Sequence, residues 1–166
     1  THSRRPTTKT KTTKEDSEMK FVFDDGGRAA AGYKGFTGDC VCRAIAIATE
    51  RPYKEIYDLI NEYGKQERPN RKRKGNKYNG RRSSARTGVY KETIRRVMES
   101  LGWVWVPTMK IGGGCTTHLC SEELPSGRLV VSVSRHETAV IDGVLHDTYD
   151  CTREGSRCVY GYFKKA

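Results

Sequence analysis

The sequence predicts an α+β fold, with helices first and an antiparallel sheet after them. Three observations predict it. Apolar residues recur at three- and four-residue spacing up to Leu101, and the spacing drops to two after Gly102. Asp142-Gly143 lies between two apolar runs, the pattern of a type I′ hairpin turn.

The elements follow in order. Residues 20–23 form a short strand, ended by Asp24-Asp25-Gly26-Gly27. A glycine-rich approach from Gly32 to Gly38 leads to Asp39-Cys40, and CVCRAIAIAT reads as a short buried helix capped by Thr37 or Asp39. Pro52 suits the first turn of a second helix over 53–63, with Tyr53, Ile56, Tyr57, Ile60 and Tyr63 on one face and Gly64 as its stop. Thr87 is placed to cap a third helix carrying Tyr90, Ile94, Val97, Met98 and Leu101, with Gly102 as terminator. Strands are expected at 103–106, stopped by Pro107, and at 129–134, 138–141, 144–149 and 158–163.

The chain has 166 residues, enough for one domain with a core of its own. No run approaches the roughly 20 apolar residues of a membrane-spanning helix, so no membrane partner is expected. The charge is uneven. Lys and Arg number 31 against 20 Asp and Glu, a net +11. Residues 65–86 hold ten of the cations and one acid, Glu67, for a net +9. Residues 1–20 carry a net +3, and the remaining body is close to neutral at −1. The organisation read from this is a basic tail over 1–19, with almost nothing apolar to bury, and a single domain over 20–166 with a basic insertion at 65–86. Arg71, Lys72, Arg73, Lys74, Lys77, Arg81, Arg82 and Arg86 are the candidates for binding nucleic acid or another acidic partner. The insertion has no aromatic ladder, so backbone binding without base readout is expected, and with it strong salt dependence. The tail has no apolar stretch of a secretory signal, which makes cytoplasmic location the expectation; its acid-poor, Arg- and Thr-rich start is the one feature that fits organelle import.

The chemistry-bearing residues are Cys40, His136 and Asp147. Cys40 begins a helix, where unpaired amides and the macrodipole favour a thiolate. With Asp142-Gly143 as a two-residue turn, Ile141 pairs with Val144 and Thr138 with Asp147. His136 and Asp147 then share a face as diagonal neighbours, about 7–8 Å apart along the backbone and within side-chain reach. A carboxylate so placed orients an imidazole and stabilises its protonated form. His146 faces away in this register and reads as structural; Asp142 reads as turn chemistry.

These residues carry a resemblance. Gly38-Asp39-Cys40 opening a small-residue helix, the stretch SRHETAVIDG, then His146-Asp147, together with GDCVCRAIAIAT and WVPTMKIGGG, resemble the papain-like cysteine peptidases, most of all their small bacterial and phage members. The resemblance spans roughly residues 36–163. It implies a papain-like arrangement, with the nucleophile helix packed on the C-terminal sheet, a cysteine nucleophile at Cys40, a base at His136 and an orienting acid at Asp147. The implied substrate is a peptide or protein, cleaved at peptide or isopeptide bonds without a cofactor. The glutamine that usually precedes the cysteine is missing: Lys34 stands six residues back, and no Gln or Asn lies between Gly26 and Cys40. The Cys40 amide would supply one oxyanion donor, with Lys34 or Thr37 as candidates for the other. One such donor is worth about 10²–10³ in rate, so its loss favours an alternative: a weak or inactive papain-like fold serving as a nucleic-acid-binding, ribonucleoprotein component. Amidase or transglutaminase chemistry would use the same three residues.

Six cysteines permit 15 full pairings, and reduced thiols are the default expectation without a secretory signal. Cys42 reads as core, and Cys151 with Cys158 as a pair able to bridge a short loop. Cys115, His118 and Cys120 have no standard zinc spacing, so no metal is expected. Gly112-Gly113-Gly114 lacks the Lys-Ser/Thr ending and helix of a phosphate loop and reads instead as a cleft lining.

Overall fold

In the computed structural model the described residues are 19–35, 37–68 and 80–166. They form three helices and one six-stranded mixed sheet, an α+β architecture. Strand β1 is Phe21–Phe23. Helices α1 (Cys40–Thr49), α2 (Tyr53–Lys65) and α3 (Lys91–Ser100) follow. The remaining strands are β2 (Trp103–Pro107), β3 (Arg128–Val133), β4 (His136–Ile141), β5 (Val144–Asp147) and β6 (Val159–Lys165), and the sheet order is β1-β5-β4-β3-β6-β2. No helix among the described residues is long and apolar enough to cross a membrane.

The sheet is not wholly antiparallel as expected. β1 runs parallel to β5, with Val22 opposite His146 and Phe23 opposite Asp147. A parallel neighbour needs a long crossover, and here all three helices lie between the two strands in sequence. This pairing sets the end of β1 against the end of β5, where the Asp24 amide donates to the Asp147 carbonyl at 2.9 Å.

The alternation of β3, β4 and β6 sends side chains to two cores. Val130, Ala139 and Phe163 pack under the helices with Ile45, Ile56, Ile60, Val97 and Met98. Val131, Val133, Val140, Leu145 and Val159 fill the opposite face with Leu119, Leu124 and Cys151. The apolar stripes read from the sequence are these buried faces, and Cys42 is part of the first core. The β4–β5 hairpin has the expected register, Ile141 opposite Val144 and Ala139 opposite His146. Asp142 and Gly143 both have positive φ, 48° and 76°, as a type I′ turn requires.

Three local expectations are corrected. Thr87 does not cap α3. Tyr90 holds the cap position, and its amide donates to Ser83 Oγ at 2.9 Å. Gly64 does not end α2 but lies inside it, because the helix passes so close to Ser83 that a β-carbon at position 64 would fall 2.1 Å from the Ser83 carbonyl oxygen. Cys115, not Cys151, bridges Cys158. The strand-like pairing of His118 with Cys158, and the bond from the Val159 amide to the Thr117 carbonyl, bring the 115–118 segment beside β6 and make Cys115 the near partner. Cys151 is a free, buried thiol.

Candidate active site

Cys40 is the first residue of α1 and is half-buried. The first amides of a helix have no partner within it, so the sulfur starts at a donor-rich end. The preceding residue, Asp39, sits at the cap position, but its side chain makes no capping bond. Its buried carboxylate pairs with Arg43, accepts from the Tyr53 hydroxyl at 2.7 Å and meets Arg28 Nε at 3.1 Å. Arg28 also reaches the Lys34 and Gly35 carbonyls through Nη2, at 3.1 and 2.6 Å. One buried acid therefore ties the glycine-rich approach, α1 and α2 together just before Cys40.

His136 opens β4 and Asp147 closes β5, and both are buried. Their side chains meet directly, with His136 Nε2 2.7 Å from Asp147 Oδ2. The same oxygen accepts from Thr138 Oγ1 at 2.8 Å, and Oδ1 accepts the Thr148 amide at 2.6 Å. Tyr149 lies against the imidazole, ring centroids 5.3 Å apart. With Nε2 engaged by the carboxylate, Nδ1 is the nitrogen left for exchange with a substrate or thiol.

The electrostatics fit a charged pair. Burial alone works against a protonated ring at His136, but the Asp147 carboxylate and the Cys151 and Cys40 sulfurs outweigh it and push His136 up to about 12. Burial likewise opposes the Asp147 carboxylate, and its bonds from His136, Thr138 and Thr148 win and hold it below the usual carboxylate range. The Cys40 thiol is thus close enough to the ring to raise its hold on a proton.

Several participants carry little sequence signal. Arg43 is readable as the i+4 partner of Asp39 on α1. Arg28, Tyr53 and Cys151 reach the site only through tertiary folding. Cys151 Sγ stands 3.7 Å from Asp147 Oδ2, and the donor atoms of His136, Asp147 and Cys151 all lie within 4.8 Å of one another, a nitrogen, oxygen and sulfur set able to hold a metal ion. The C-x₂-H-x-C stretch is used otherwise: Cys115 is in the disulfide, and His118 and Cys120 both bond Glu123, at 3.1 and 3.0 Å.

Of the oxyanion candidates, Lys34 is exposed and Thr37 half-buried, and neither side chain has a bonded partner among the described residues. His146 is turned toward Asp24, 3.7 Å from its carboxylate, as its register predicts. Arg81, Arg82 and Arg86 are exposed, whereas Arg71, Lys72, Arg73, Lys74 and Lys77 lie outside the described residues. Glu67, the lone acid of the basic segment, anchors its base by accepting from the Ser83 amide and hydroxyl and from Thr93. The chain matches no protein-family model, no curated protein and no solved structure.

Proposed function

We propose that this chain is a cysteine-dependent acyl-transfer enzyme of the papain-like kind, acting on peptide or isopeptide bonds. The observation that supports the reading is the buried contact of His136 Nε2 with Asp147 Oδ2 at 2.7 Å, with the Cys40 thiol near enough to strengthen the ring's hold on its proton. An imidazolium stabilises the sulfur anion beside it. Cys40 Sγ attacks the substrate carbonyl, and the carbonyl oxygen takes the negative charge. His136 gives its proton to the departing amine as the C–N bond breaks, leaving a thioester on Cys40. Neutral His136 then takes a proton from water, whose oxygen attacks the thioester; the acid leaves and the thiolate–imidazolium pair is restored. Asp147 keeps the ring oriented and balances its charge throughout. If an amine replaces water in the second half, the same steps give transglutaminase chemistry.

A thiol-directed electrophile at neutral pH tests this. Cys40 is expected to react at least about tenfold faster than a free cysteine and to lose that advantage in His136→Ala. Equal, slow labelling of both proteins sinks the reading.

A second reading is favoured by the basic segment and by the unengaged Lys34 and Thr37 side chains: a papain-like fold that binds nucleic acid. Arg81, Arg82 and Arg86 project from the well-anchored end of that segment. Replacing all three by Gln should weaken binding to an unrelated-sequence RNA or DNA. It should also flatten the salt slope by about 0.7–0.9 for each phosphate no longer neutralised. An unchanged slope removes these residues from the interface.

A further inference from the structure

A cavity of about 230 Å³ opens between α3 and the helix-bearing face of the sheet. On the sheet side it is lined by Trp105, Tyr160 and Phe163, with Trp105 and Phe163 packed at 4.8 Å between ring centroids, and on the α3 side by Ile94 with the charged Lys91, Glu92 and Arg95. Glu137 lines the cavity, yet it is only 8% exposed. Its Oε1 accepts from Ser132 Oγ at 2.6 Å, while its buried Oε2 has no hydrogen-bond partner among the described residues. A buried acceptor without a donor is costly, and such groups mark sites completed by something else. At the mouth, the Lys91 ammonium lies 5.3 Å over the Tyr160 ring, so an aromatic face of this cavity already accepts a cation. Glu137 directly follows His136, and strand alternation puts it on the face where α1 and Cys40 pack.

The geometry points to a recognition pocket for a cationic side chain, arginine or lysine, whose apolar stem lies along Trp105 and Phe163 and whose charged tip donates to Glu137 Oε2. The volume suits one long side chain rather than a cofactor. Neither Cys40 nor His136 lines this cavity, and strand alternation turns His136 to the other face of β4, so the inference stands on the binding chemistry of the cavity alone. Burial raises the Glu137 carboxyl to about 7 against the opposing pull of the Ser132 hydroxyl, His136 and Lys91, and a bound guanidinium would oppose it further.

The test uses the full chain with Cys40→Ala, so that binding is read without turnover. N-acetyl-arginine amide, N-acetyl-lysine amide and their neutral counterparts, the citrulline and norleucine amides, are titrated while Trp105 is followed by NMR. The arginine or lysine amide is expected to bind at least about tenfold more tightly than its neutral counterpart, since hydrogen bonds to charged groups are the stronger class. The preference should vanish in Glu137→Gln and persist in Lys91→Met. Equal affinity for charged and neutral amides in the Cys40→Ala chain overturns the pocket, and that comparison needs no change at Glu137. A preference that survives Glu137→Gln overturns the assignment to this residue. Failure of Cys40 labelling with cation binding intact would instead refute the enzyme reading alone.

Discussion

Arg43 joins the two halves of the candidate site: its guanidinium pairs with Asp39 through Nη1 and stands 3.8 Å from Asp147 Oδ1 through Nη2. The helix that begins with Cys40 and the strand that ends with Asp147 are thereby referenced to one rigid, planar cation. Arginine suits this better than lysine because its fork addresses two carboxylates at once.

Arg43→Met is expected to keep the fold but loosen the Cys40–His136 relationship. Arg43 touches no reacting atom, so it acts as a positioning residue. Labelling of Cys40 should slow by about tenfold, equivalent to ~1.4 kcal/mol for removing one charged interaction. The pH profile of labelling should shift as well, because one of the charges around Asp147 is gone. Arg43→Lys should restore part of the rate. A variant with lowered stability but an unmoved labelling profile would mean that Arg43 only supports packing.

Asp147 governs the charge of His136. With the carboxylate in place, the ring should stay protonated well above neutral pH, a state visible in its imidazole NMR shifts. In Asp147→Asn the carboxylate that holds the proton is gone while burial still opposes it, and the ring should titrate well below about 12. The folding consequence has a definite sign. The folded-state rise at His136 contributes stability that is full below about pH 6.5 and fades as pH climbs toward 12; the lowered Asp147 contributes stability that is lost as pH falls below about 4. A ring that titrates identically in both proteins would contradict this linkage.

Glu137 has the reverse linkage. A carboxyl raised to about 7 by burial holds its proton more tightly in the folded chain than in the unfolded one. Stability is then full below pH ~4.5 and declines as pH rises to about 7. Glu137→Gln removes that decline, and its gain over the parent chain should grow by on the order of 3 kcal/mol between pH 4 and pH 8. Urea unfolding at the two pH values measures it, and a pH-independent difference would refute it.

Gly64→Ala should destabilise the fold by about 1–3 kcal/mol, because the added methyl meets the Ser83 backbone rather than a side chain able to move. The loss should appear in thermal unfolding of the whole chain, since Ser83 is also bound to Glu67 and Tyr90. An unchanged midpoint would show that α2 and the 83–85 stretch can separate freely.

Much of this layout is legible in the sequence where the forces are local. The Asp142-Gly143 turn fixes the hairpin register, and the period of two then sets His136 diagonal to Asp147. The helical stripes of α2 and α3 are equally local. Interactions between distant segments leave no such trace. Glu67 reads as an isolated acid among cations, but it closes the base of that segment on Ser83 and Thr93. Gly64 reads as a helix stop because glycine usually is one, and the close approach of Ser83 that requires it comes from residues 19 positions later. The parallel pairing of β1 and the choice of Cys115 for Cys158 likewise depend on how the whole sheet closes.

The Cys115–Cys158 bond encloses both His136 and Asp147 in one covalent ring and leaves Cys40 outside it. A single nick at any peptide bond from residue 115 to residue 158 therefore cannot shed a fragment while the bridge is oxidised. Such a nicked molecule runs at full mass on a denaturing gel until a reductant is added, and it can refold as one connected object carrying both His136 and Asp147. Bridge reduction converts the same nick into a lasting separation of pieces.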